Sequence, residues 1–144
     1  MKRLATVVIT LACGIGIVAA ADVIAQRREL MKADGVAAKK LFDMAKGATP
    51  FDLAIAQASL KTLATGAEKT PALFPDDSKT GGGTAALPAI WENKADFNAR
   101  FAKFSKDVAA AIAATVDEKS FKAAAPAVFD NCGGCHELYK AKSG

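Results

Sequence analysis

Histidine is nearly absent from this 144-residue chain: His136 is the only one. A metal centre held by two histidines of one chain is therefore excluded, as is chemistry that needs a second imidazole as acid or base. Cysteine is scarce too, at three residues, so a four-ligand Cys/His zinc site would have to use every cysteine and the histidine. Aromatic residues make up only 7% although hydrophobic residues reach 51%, so much of the apolar content is alanine, a strong helix former and a poor core filler. No glycine-rich phosphate loop occurs, and the lysines and arginines form no basic stripe of the kind that binds nucleic acid. A small all-helical domain whose core is completed by a large apolar cofactor fits that composition.

The long uncharged run is at the N-terminus. Lys2 and Arg3 precede eighteen uncharged residues, Leu4 to Ala21, and Ala19-Ala20-Ala21 offers a small-residue cleavage site before Asp22. Residues 1–21 read as a secretory signal peptide and residues 22–144 as one mature domain. An uncleaved anchor is the alternative, since eighteen residues marginally span a bilayer; Thr10-Leu11-Ala12-Cys13 is a poor lipoprotein box. Losing Lys2 and Arg3 lowers the formal charge from +4 to +2, and losing Cys13 leaves Cys132 and Cys135 as the mature thiols.

Those two thiols define the motif that organises the rest: Cys132-Gly133-Gly134-Cys135-His136. The C-x-x-C-H pattern attaches a haem through two thioether bonds and supplies an axial histidine to its iron. On a helix, residues three and four apart share a face, so both thiols and the imidazole meet one flat ligand. A thioredoxin-like couple would need a strand–helix context that this segment lacks. Export and haem attachment agree, because no thiol is left over in an oxidising compartment. In a Gram-negative cell that compartment is the periplasm.

Four helical patterns follow the leader. The first covers Asp22 to Lys46, with Ile24, Met31, Ala38, Leu41 and Phe42 at helical spacing and Gly47 as its stop. Gly35 lies on the Met31 face, where it makes room either for something bulky or for a close helix crossing. Thr49 as N-cap and Pro50 at the first position predict the start of a second helix that ends near Lys69. Residues 71–88, with Gly81-Gly82-Gly83, form a flexible crossover onto which Leu73 and Phe74 tuck. Asn93 is the expected cap of a third helix carrying Phe97, Phe101, Phe104, Val108 and Ile112, aromatics that either flank a haem or simply pack. The fourth begins near Asp117 and contains Pro126, expected to kink or interrupt it one turn before the haem motif.

With one histidine, the second iron ligand has to be another residue type. The mature methionines, Met31 and Met44, are thirteen residues apart, roughly 20 Å along a helix, so at most one reaches the iron. Met31, in mid-helix on the apolar face, is the better placed; ordinary core filler is the competing reading for it.

Several segments together resemble the cytochrome c-prime family of haem-bearing bundles, and within it the low-spin, methionine-ligated cytochrome c-556 branch. They are C-x-x-C-H in the last helix, Arg27-Arg28-Glu29-Leu30-Met31-Lys32 followed by Gly35 in the first, Leu73-Phe74-Pro75-Asp76, and Pro88-Ala89-Ile90-Trp91. The resemblance implies an all-α, left-handed antiparallel four-helix bundle with a long loop between helices 2 and 3 and one covalently attached haem c. It further implies axial ligation by His136 and Met31, with Arg27 near a haem propionate. Lys140 stands where family members commonly carry an arginine, a point charge in place of a planar fork. Arg27, Gly35, Trp91, Phe97 and Lys140 are the candidate pocket contacts. The expected function is that of a periplasmic one-electron carrier, not an enzyme, serving redox partner proteins as a monomer or homodimer. The alternative is a five-coordinate haem that binds nitric oxide or carbon monoxide at an open sixth site.

Overall fold

The computed structural model describes residues 15–142, so the N-terminal part of the expected leader, 1–14, lies outside the described residues. Four long helices carry the fold: α1 (Ile15–Ala45), α2 (Leu53–Lys69), α4 (Lys94–Ala114) and α5 (Glu118–Tyr139), with a single short turn of helix, α3 (Ala89–Glu92), before α4. Each long helix packs on two others, α1 on α2 and α5, and α4 on α2 and α5, which closes a four-helix bundle. The expected all-α bundle with a long connection between its second and third main helices is what is observed. No helix among the described residues is long and apolar enough to cross a membrane.

Helix ends decide where the side chains fall, and three of them differ from the local sequence signals. α1 begins before Asp22, because Ile15–Ala21 contains no proline and carries Gly16 only in the first turn, so the alanine-rich stretch continues the helix backwards. Its end is a Schellman closure: Gly47 adopts φ 72°, the Ala48 amide donates to the Asp43 carbonyl at 2.8 Å and the Gly47 amide to that of Met44 at 3.1 Å. The Thr49 amide also turns back to the Asp43 carbonyl, at 3.3 Å, so Thr49 belongs to the end of α1 and does not cap α2. Asp52 does so instead, its Oδ1 accepting from the Ile55 amide at 2.9 Å. Asn93 precedes α4, but its side chain donates back to the Ala89 carbonyl at 3.2 Å and caps nothing.

α5 starts as expected. Asp117 accepts from the Ser120 amide at 2.7 Å while Ser120 Oγ accepts from the Asp117 amide at 3.0 Å, a reciprocal capping box. The helix then runs through Pro126 without interruption. Pro126 and Lys122, whose carbonyl the proline leaves without its helical donor, are both exposed, so the carbonyl is on a face open to solvation. Replacing Asp117 with alanine should lower stability by about 1 kcal/mol in denaturant unfolding, the usual cost of losing an N-cap.

The core divides in two. Leu41, Met44, Leu60, Leu63, Val108, Phe121 and Val128 belong to one buried cluster. Phe74, Ile90, Phe97, Phe101 and Tyr139 form the other, with the Phe97 ring edge-on to those of Phe74, Phe101 and Tyr139. Phe74 folds onto the bundle from the crossover as expected, but the crossover is not free. It is tied by Arg27 to Leu73, Ser78 and Thr84, and the chain end pairs with it through the Ala141 amide and the Ala85 carbonyl at 2.8 Å.

Candidate functional site

α5 presents Cys132, Cys135 and His136 to one side of the bundle, and all three line the same cavity of about 160 Å³, as their spacing requires. Neither thiol is in a disulfide. Burial pushes both thiols above the ordinary range, and the Asp34 carboxylate raises Cys132 further. Burial and then the Lys140 charge push the His136 imidazole down, which favours the neutral form that can donate a lone pair to a metal.

A second cavity of about 330 Å³ adjoins the first, and Met31, Phe101, Cys135 and His136 line both. Met31 therefore sits on the α1 wall of the whole cleft, opposite the α5 wall that carries the motif. Met44 is 3% exposed among Leu41 and Leu60 and lines neither cavity. Gly35 lines the first cavity, and a Cβ placed on it would meet nothing within 4 Å. Of the two readings of that glycine, the close helix crossing is excluded; its missing side chain leaves open space in the cleft.

The second cavity is lined by four cationic residues, Arg27, Arg28, Lys32 and Lys140, and by no carboxylate. Arg27 is 3% exposed, and burial lowers its pKa. It donates to the carbonyls of Leu73 (3.0 Å) and Ser78 (2.8 Å) and to the hydroxyls of Ser78 (2.9 Å) and Thr84 (2.7 Å), all uncharged acceptors. Phe97, 2% exposed, lines the same cavity. Trp91 lines neither: its indole Nε1 donates to the Pro75 carbonyl at 3.0 Å and its ring stands edge-on to Phe74, so it staples the crossover.

Two residues of the cleft carry no local signal in the sequence. Arg100 reaches over the Cys-Gly-Gly-Cys turn, its Nη1 3.4 Å from the Gly134 carbonyl and its Nε 2.6 Å from Asp96, which also accepts from the Tyr139 hydroxyl. Asp34, 8% exposed, lines the first cavity, with an Oδ2 that accepts no hydrogen bond.

The arrangement fits a covalently attached haem. Two thiols face one apolar cleft, an imidazole stands beside them, a glycine clears the opposite wall, and four cationic residues, of which Lys32 has an exposed partner in Glu29, line one end where carboxylates of a ligand would be neutralised. The comparisons agree. Residues 22–140 match the family model for cytochrome c'. Cytochrome c' of Rhodopseudomonas palustris is 48% identical, with 97% of each chain covered, and a cytochrome c-556 of Agrobacterium fabrum is 38% identical over 88% of this chain and 86% of its own. The structure of R. palustris cytochrome c' superposes with a TM-score of 0.82 at 49% identity, covering 85% of this chain and 98% of that one. The chain belongs to the cytochrome c' family, the class II c-type cytochromes that carry a single covalently attached haem c in a four-helix bundle.

Proposed function

We propose that this protein is a one-electron carrier whose haem is bound through Cys132 and Cys135, with His136 and Met31 as the axial ligands of the iron. The observation that carries the reading is the position of Met31 on both cavities of the cleft while Met44 is sealed in the core. The haem supplies the one-electron couple when bound. The chain's own residues do the rest. Cys132 and Cys135 would hold the haem to α5 through thioether bonds, and His136, held neutral, would offer its lone pair to the iron. The Met31 sulfur would be the second ligand, and a thioether paired with histidine raises the reduction potential. Phe97 and Phe101 exclude water, while Arg28, Lys32 and Lys140 offset the charge of the haem carboxylates. With both faces filled, little rearranges on electron transfer.

Residues 1–21 act in this reading as a leader that is removed on export to the periplasm, where the partners are one-electron donor and acceptor proteins. An intact mass tests both assignments: it should equal residues 22–144 plus one haem, and a mass without haem would refute the cofactor assignment. A second reading is favoured by a specific observation, since the 48%-identical relative bears the name cytochrome c' and the space beside Gly35 could admit a diatomic gas. The ferric optical spectrum decides between them. A low-spin spectrum with the methionine–iron charge-transfer band is expected for the carrier; a high-spin spectrum that shifts with nitric oxide would establish the open-site reading.

A further inference from the structure

We propose that Asp34 is a redox-linked proton site: its carboxylate takes up one proton when the haem is reduced and gives it back on oxidation. The inference rests on the haem lying in the cleft that Asp34 lines. Asp34 is one turn along α1 from Met31 and shares the first cavity with Cys132, Cys135 and His136. It is 8% exposed, and its Oδ2 is enclosed without a hydrogen-bond partner. Its carboxyl occupies a slot that exists because residue 66 is glycine, since a Cβ there would collide with Asp34 Oδ1, Oδ2 and Cγ. Gly66 is itself buried within α2, where glycine costs about 1 kcal/mol relative to alanine by general helix propensity. The fold therefore tolerates a weakened helix and an unpartnered acid at one spot, and the spot is in the wall of the cofactor cleft. Costs of that kind concentrate where a titratable group is used.

The groups facing Asp34 set the direction. From α5 come the two cysteines, which the haem consumes, and His136, occupied by iron; from α4 comes Arg100, already bound to Asp96. From α2, Gly66 faces the carboxyl and Leu63 lines the same cavity, and neither carries a charge. No neighbour is thus positioned to hold the carboxylate ionised, and burial raises its pKa to about 7. With neutral axial ligands, ferric haem carries one positive charge at its centre and ferrous haem none. Ionised Asp34 therefore favours the ferric state and protonated Asp34 the ferrous. An electron arrives at the iron from a one-electron donor protein, a proton arrives at Asp34 Oδ2 from water, and the charge of the cleft is unchanged by the pair.

The test is the reduction potential of the holoprotein against pH. The wild type should fall with rising pH around neutrality, its slope approaching about 59 mV per pH unit, the one-electron equivalent of a tenfold change. Asp34→Asn, isosteric and uncharged, should be flat over that range, at the value the wild type reaches in acid. A flat wild type, or a variant that keeps the slope, overturns the proposal. The reduced-minus-oxidised infrared spectrum gives a reading on the unmodified protein. Reduction near neutral pH should add a protonated-carboxyl C=O band that shifts in D2O, and its absence overturns the proposal as well. Because the intact mass reports haem attachment separately, failure of this inference is distinguishable from failure of the cofactor assignment.

Discussion

Replacing Met31 with alanine should convert the ferric spectrum from low-spin to high-spin, with complete loss of the methionine–iron charge-transfer band. The size of the effect follows from the absence of a substitute. His136 is the only histidine, and in the proposed reading it already serves as the other ligand. Met44 is sealed among Leu41, Leu60 and Phe121, and freeing it would open the main core. The space that the substitution creates joins the open space beside Gly35, so water or a diatomic gas gains a site on the iron. The reduction potential should fall in the same variant, because thioether sulfur prefers ferrous iron, and each tenfold of that preference is worth about 59 mV. Nitric oxide, which a methionine-filled sixth position would exclude in the parent, should bind readily. An unchanged spectrum would show that the Met31 sulfur lies above the iron without bonding to it, and the gas-binding reading would then hold.

How far the site could be read from the sequence depended on whether its chemistry was local. Cys132, Cys135 and His136 were legible because three residues on one helical face are fixed by spacing alone. Met31 was legible in part: its place in mid-helix separated it from Met44, but only the packing of α1 against α5 puts it on the cleft. Asp34 was not legible as a buried group. It falls on the stripe that carries Ile24, Met31 and Leu41, yet its burial depends on a slot in α2 made by Gly66, a tertiary fact. Arg100 looks like half of an exposed pair with Asp96 at i, i+4, and its reach to Gly134 comes from α5. Trp91 was grouped with the pocket by its sequence neighbourhood, but its indole finds an acceptor in Pro75 on the far side of the loop. The cap of α2 was displaced as well: the closure of α1 reaches to Thr49, the helix starts only at Leu53, and it is the Asp52 carboxylate that the Ile55 amide finds.

Arg27→Met should cost about 3 kcal/mol or more in denaturant unfolding, the largest loss expected for any residue outside the hydrophobic core. The guanidinium holds three separate points of the crossover, Leu73, Ser78 and Thr84, and stands 4.5 Å from the Phe74 ring centroid. Hydrogen bonds from a charged donor contribute about 1.5–3 kcal/mol each, and acceptors left buried without one cost about 1–3 kcal/mol. Methionine restores the volume and none of the donors, so the loss reads the polar clamp and not a cavity. Arg27→Lys should recover only part of it, since one ammonium cannot copy the fork that serves all four acceptors. The crossover should respond first. Its three consecutive glycines, all with positive φ, keep the exposed Arg28 bond to the Gly82 carbonyl and the local Thr84 amide bond to the Gly81 carbonyl once Ser78 and Thr84 are released, and limited proteolysis should cut between residues 78 and 84 in the variant and spare the parent. The clamp also bears on the cofactor. Arg27 is buried with no carboxylate among its hydrogen-bond partners and lines the cationic end of the cleft, so a haem propionate would supply the counter-ion that its protein surroundings lack. If that pairing operates, the loss on Arg27→Met should be larger in the holoprotein than in the haem-free chain with both cysteines replaced by alanine. Equal losses would restrict Arg27 to holding the loop.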